Sequence, residues 1–148
     1  MIHANLICLE NFISMQELEI NTKVKNLFSL LQEGTLEEGE LFFLAALRKI
    51  RKIPNLDDVT DEIEQEIFIN SFHSDDYINN ENIKFHWIYM LFFCKKLKDI
   101  LPKKRNYLIF VILFQTEYGI NFKMYKDRNT EYLLYLDSYS QPIIEIKF

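Results

Sequence analysis

Few residues able to carry chemistry stand at the spacings chemistry needs. His73 precedes Ser74, Asp75 and Asp76, so an imidazole lies beside two carboxylates that can tune it as a general base or share a metal with it. One histidine in an acidic loop is a slender basis for either. The three histidines, His3, His73 and His86, form no H-E-x-x-H and no i, i+4 pair, the spacing that puts two zinc ligands on one helix face. His86 stands in an apolar run and reads as a hydrogen-bonded core residue. The pairs Asp57/Asp58 and Asp75/Asp76 can in principle divide into acid and base, but adjacent solvated aspartates are commoner than tuned dyads. No catalytic residue, metal or cofactor is therefore expected, and the chain reads as a non-enzyme.

Glycine narrows the choice further. Loops that cradle phosphate need it, because backbone amides must approach the ligand closely in left-handed conformations. Gly34, Gly39 and Gly119 stand alone, outside any dinucleotide-binding or P-loop arrangement, and no serine sits in a G-x-S-x-G elbow. Cys8 and Cys94 form no C-x-x-C pair and read as reduced structural cysteines.

Charge is the feature distributed unevenly enough to need an account. Between Lys52 and Lys84 lie nine acids and no Lys or Arg: Asp57, Asp58, Asp61, Glu62, Glu64, Glu66, Asp75, Asp76 and Glu81. That stretch carries −9 in a chain of net charge −5, which leaves +4 for the remainder. A field of this shape steers a basic partner toward encounter at a rate that falls with salt. The first eight of these acids are the candidate partner-binding residues; a solvated, solubilising helix face is the alternative use of the same charges. A reverse cluster follows at Lys95, Lys96, Lys98, Lys103, Lys104 and Arg105, opposed by Asp99. Phosphate contacts use such clusters, and Tyr107 beside it offers a ring to a base. Complementation of a helix C-terminus explains most of these cations without a ligand, and direct nucleic-acid binding is not expected in a net acidic chain.

The elements that must carry these residues follow from length and pattern. The chain has 148 residues, 49% hydrophobic and 26% charged, with 13 Phe, 8 Tyr and 1 Trp, which fits one globular domain over 1–148 with many rings inside. A helical part over about 1–102 precedes a strand-rich part over about 106–148. Helical spacing of Leu27, Leu30 and Leu31 marks a first helical stretch within 5–33. Thr35 and Glu38 read as a capping box opening a helix that Pro54 stops, with acids at its start and Arg48 to Lys52 at its end. A third helix starts near Thr60, its cap, with Ile63, Ile67 and Phe68 inward. A fourth, Asn82 to Leu101, is apolar nearly all round and should be central.

Beyond Pro102 the run Tyr107 to Phe114 is β-branched and aromatic, as in a strand covered on both faces. Residues 120–124 alternate as a half-exposed return strand, Tyr132 to Leu136 reads as another, and 144–148 alternates again after Pro142. The expected class is α+β: N-terminal helices packed on one face of a C-terminal antiparallel sheet of about four strands. Tyr132, Tyr135 and Tyr139 on that sheet would suit an interface. The longest apolar run, Phe85 to Cys94, is about half a membrane span, and the N-terminus lacks a basic signal region. A cytoplasmic protein without a membrane partner is expected, and the Lys-, Asn- and Ile-rich usage points to a bacterial source.

Two stretches carry a resemblance. One is Phe68-Ile69-Asn70-Ser71-Phe72-His73-Ser74-Asp75-Asp76-Tyr77, through the spacing of Asn70, His73, Asp76 and Tyr77; the other is 120–125 followed by Leu136-Asp137-Ser138-Tyr139-Ser140-Gln141-Pro142-Ile143. They cover about a quarter of the chain, and they resemble bacterial immunity proteins of contact-dependent growth inhibition and related polymorphic toxin systems. The resemblance implies an inhibitor that does no chemistry and binds a cognate toxin domain. For a basic nuclease toxin, the acidic segment would face the lysines and arginines of its phosphate-binding surface. Another protein-binding inhibitor, an antitoxin-type regulator and, less favoured, a small enzyme using His73 are the alternatives.

Overall fold

The computed structural model describes residues 2–4, 25–128 and 140–148. Its centre is the β-branched run, which forms β5 (Ile109–Gln115) and pairs antiparallel with β6 (Ile120–Lys126), from Ile109 opposite Lys126 to Gln115 opposite Ile120. Thr116 N donates to Gly119 O at 2.8 Å to close the turn. β7 (Ile143–Lys147) takes the other side of β5, with Leu113 opposite Ile144. β1 (Ile2–Ala4) adds to β7 and β4 (Phe72–His73) to β6, so the order is β1-β7-β5-β6-β4, antiparallel throughout. The class is α+β, as expected. The sheet has five strands among the described residues and draws its outer two from outside the C-terminal third, so helical and strand-rich parts interleave.

Because β5 is apolar on both faces, both faces of the sheet are covered, a correction to the one-sided packing expected. Val111, Leu113, Phe122 and Met124 belong to the main core with α4 (Ile83–Ile100), whose Trp87, Met90, Phe93, Cys94 and Leu97 are buried. Asn82 caps α4 by accepting from Lys84 N at 3.0 Å, which matches the predicted helix start. Phe72 stacks on Phe122 with centroids 4.7 Å apart, and Phe93 meets each edge-on at 5.3 Å. The aromatic excess thus builds the core, each fully buried ring contributing about 1.5–3 kcal/mol. On the opposite face, Phe110, Ile112, Tyr125 and Ile143 pack on Ile63 and Ile67 of α3 (Glu62–Asn70). Here β6 is more buried than its alternation suggested.

One predicted helix is largely absent. After a short α1 (Lys25–Ser29), the stretch opened by Thr35 forms a hairpin, β2 (Thr35–Glu38) and β3 (Leu41–Leu44), and only Ala45–Ile50 is helical, as α2. Gly34 (φ 71°) and Gly39 (φ 61°) explain this: both take the left-handed conformation, which ends helices and turns hairpins. Phe42, Phe43 and Leu44 then bury on both sides of β3, and Thr35 and Glu38 are strand residues instead of a capping box. Cys8, the predicted elements within 5–24 and at 132–136, and Tyr132, Tyr135 and Tyr139 lie outside the described residues.

Candidate partner-binding surface

The acidic stretch divides into groups with different work. Asp57 and Asp58 are exposed in a turn closed by Asp58 N donating to Asn55 O at 3.0 Å, and Glu62 is exposed at the start of α3. Asp61, and not Thr60, caps α3 by accepting from Glu64 N at 2.9 Å, while Glu64 reaches back to accept from Thr60 N at 2.8 Å. Asp75 and Asp76 are exposed in a 3₁₀ turn, Ser74–Asp76, beyond the far end of the helix. At 1.5 Å per residue, α3 sets the two exposed groups about 12 Å or more apart. The stretch is therefore two patches.

Glu66 belongs to neither, which corrects its assignment as a partner-binding residue. Its side chain has no exposed area and accepts from Phe42 N at 2.7 Å, Lys126 N at 2.7 Å and the Arg128 guanidinium at 2.7 and 2.9 Å. One turn on, Asn70 accepts from Leu44 N at 2.9 Å and donates to Phe42 O at 2.8 Å and Met124 O at 3.2 Å. Together they satisfy the facing edges of β3 and β6, so helix side chains stand where strand pairing would otherwise run. The sequence signal was available: Glu66 and Asn70 stand i, i+4 among Ile63, Ile67 and Ile69.

Apolar side chains also lie on the surface along this stretch. Ile50 is 72%, Leu56 57% and Phe68 54% exposed. Phe68 was expected inward; at 100° per residue it sits 140° round from Ile63, off the buried stripe. It shares a stripe with Asp61 and Glu64 instead. Two links tie the segments that carry Ile50 and Leu56 to α3. Arg51, next to Ile50, donates to the carbonyls of Ile69 (2.8 Å) and Ser71 and reaches that of Phe68, and Gln65 Nε2 donates to Pro54 O at 2.7 Å, holding the Leu56 turn against the helix.

The catalytic candidates look different in space. His73 is exposed, and its Nε2 lies 3.2 Å from Asn121 Nδ2, with no hydrogen bond to Asp75 or Asp76 among the described residues. Those residues contain no group of three or more His, Cys, Asp or Glu placed to hold a metal. Ser74 Oγ lies 2.6 Å from His86 Nδ1, a pairing the sequence did not suggest. The Asn80 carbonyl, 2.6 Å from Nε2, can only accept, so in the neutral ring Nε2 carries the proton and Nδ1 accepts from the serine. Ile120 N donates to the same Oγ at 2.7 Å. Ser74 has 0% exposure, so this Ser–His pair ties elements together and offers no nucleophile. Gly119 packs closely on it: a Cβ there would lie 2.5 Å from Ser74 Oγ. A groove of about 270 Å³ runs past His86 between Glu81, Glu117 and Tyr118. The buried Cys94 thiol is pushed far up by desolvation, out of the reactive range.

At the other end of α4, Lys95, Lys96, Lys98, Lys103 and Lys104 are exposed. Tyr107 is not free to stack on a base. Lys126 Nζ stands 4.7 Å over its ring, Phe42 packs edge-on at 6.0 Å, and its hydroxyl donates to Glu37. Burial, then the bond to Glu37, raises this phenol above its ordinary range. The basic cluster thus begins about 21 Å from Glu81, which stands just before α4. No helix among the described residues is long and apolar enough to cross a membrane.

A family model described as the Uncharacterized protein PM0498 family matches residues 7–147. No curated protein and no solved structure matches the chain.

Proposed function

The chain belongs to the PM0498 family, and we propose that it is a non-enzymatic immunity protein of the bacterial cytoplasm that binds and neutralises a cognate toxin domain, a basic nuclease. One observation carries this reading: exposed carboxylates, Asp57, Asp58 and Glu62, stand at or just before the start of α3, with exposed Leu56 next to Asp57 in the chain and exposed Phe68 farther along the same helix. Interfaces combine an apolar centre with a polar rim, and a rim of one sign raises the on-rate for a partner of the other. Bound there, the protein would occupy the lysines and arginines with which a nuclease holds phosphate. The resemblance of Phe68 to Tyr77 to immunity proteins supports the same reading.

The test is co-expression with the protein encoded immediately upstream, scored by growth rescue and co-purification. Rescue with a stable complex is the expected result; a toxic neighbour that this chain neither rescues nor binds refutes the proposal. Another inhibitor or antitoxin-type regulator would use the same surface, and an unrelated upstream gene together with a partner encoded elsewhere would identify it. An enzyme using His73 predicts that His73→Ala abolishes protection without loss of fold.

A further inference from the structure

We infer that Leu56 and Phe68, with Ile50 at the edge, are the docking centre of this protein, and that its occupant is a protein domain presenting an apolar knob ringed by lysine and arginine. The inference rests on the immunity reading and specifies how the partner is held. Exposed apolar residues are ordinary when scattered. These three lie on segments tied together, because Arg51, next to Ile50, and Pro54, two residues before Leu56, are both bonded to α3, the helix that carries Phe68. The rigid backing matters as well. Phe68 rides on a helix anchored by Glu66 and Asn70, and Leu56 on a turn bonded to that helix, so little ordering is needed on binding.

Charge decides the occupant. Asp57 and Asp58 flank Leu56, and Asp61 and Glu64 share the helix stripe with Phe68. The nearby cations, Arg51 held by backbone carbonyls and the exposed Lys52, set two positive charges against these four carboxylates, so the surroundings stay net acidic. An acidic or neutral partner would meet uncompensated carboxylates around an apolar contact. A basic partner pairs with them while the rings lose water. The two parts divide the kinetics: rim charges set the association rate and its salt dependence, and the central apolar side chains set the dissociation rate.

The experiment measures association and dissociation of the full chain with the upstream-encoded toxin domain, using Phe68→Ser, Leu56→Ser and the double variant Asp57→Lys/Asp58→Lys, each first checked for an unchanged melting curve. Phe68→Ser and Leu56→Ser are expected to speed dissociation by roughly tenfold or more with little change in association. The aspartate variant is expected to slow association and flatten its salt dependence. Wild-type binding that both serine variants leave intact overturns the docking centre while the immunity reading stands. Absence of wild-type binding and rescue refutes the immunity reading and this inference with it. Self-association abolished by Phe68→Ser, with toxin binding unaffected, makes a second copy of the chain the occupant and overturns the partner named here.

Discussion

On the far half of α3 two polar residues turn inward and an aromatic ring turns outward. Glu66 and Asn70 are fully buried, while Phe68, between them in the chain, is 54% exposed. The buried side works on the protein itself: its five backbone partners are the N–H and C=O groups of β3 and β6 that no neighbouring strand satisfies. Among the described residues Phe68 belongs to neither apolar core; its backbone carbonyl meets Arg51 and its side chain is more than half exposed. Residue type therefore predicts the wrong location for both. What decides is whether an edge of backbone must be satisfied on that side of the helix.

The sharpest way to break this contrast is Glu66→Ala. Removing one partner of a buried, hydrogen-bonded ion pair leaves Arg128 and two amides without their acceptor, which costs about 3–5 kcal/mol. Denaturant unfolding should show that loss. A change under about 1 kcal/mol would mean that water or a neighbour takes over the edge, and that the inward face of α3 is no more structural than the outward one. Asn70→Ala is the next test. It strands the Leu44 amide and two carbonyls, and since a buried unsatisfied group costs about 1–3 kcal/mol, a loss of about 2 kcal/mol is expected in the same measurement.

The same contrast explains what could be read from the chain and what could not. α4 and the strands β5, β6 and β7 were legible because their patterns, an apolar helix closed by Asn82 and Pro102 and β-branched runs broken at Gly119, have a single packing solution. The hairpin at Thr35 was not, because Thr35 and Glu38 satisfy a helix-start pattern and only the left-handed backbone of Gly39, a tertiary outcome, separates the two. The acidic stretch was visible as charge but not as two patches with a buried Glu66 between them. Charge count carries no information on burial, and the basic partner of Glu66, Arg128, lies 62 positions away. The tie of the Ile50 and Leu56 segments to α3 depended on Arg51 and Gln65 reaching backbone carbonyls, contacts without a sequence signature.

Asp61 lies between the two extremes, since its carboxylate both caps the helix and belongs to the acidic rim. Asp61→Ala should lower stability by about 1 kcal/mol, the usual value of an N-cap. Asp61→Ser, which caps without charge, should restore most of it. Comparing the two in thermal unfolding and in toxin association separates the cap from the rim: a rim role alone would leave both variants at wild-type stability.

The smallest effect belongs to Phe68→Ser. Its ring is more than half exposed, and substitutions at such positions away from caps, cavities and buried networks change stability by about 0.5 kcal/mol or less. An unchanged or slightly raised stability, together with lost partner affinity, would set Phe68 opposite Glu66 on one helix, the first free of structural duty and the second wholly given to it. A loss of 2 kcal/mol or more would instead place the ring in the protein's own packing. The distinction between the faces of α3 would then fall, because the side assigned to a partner would be holding the fold.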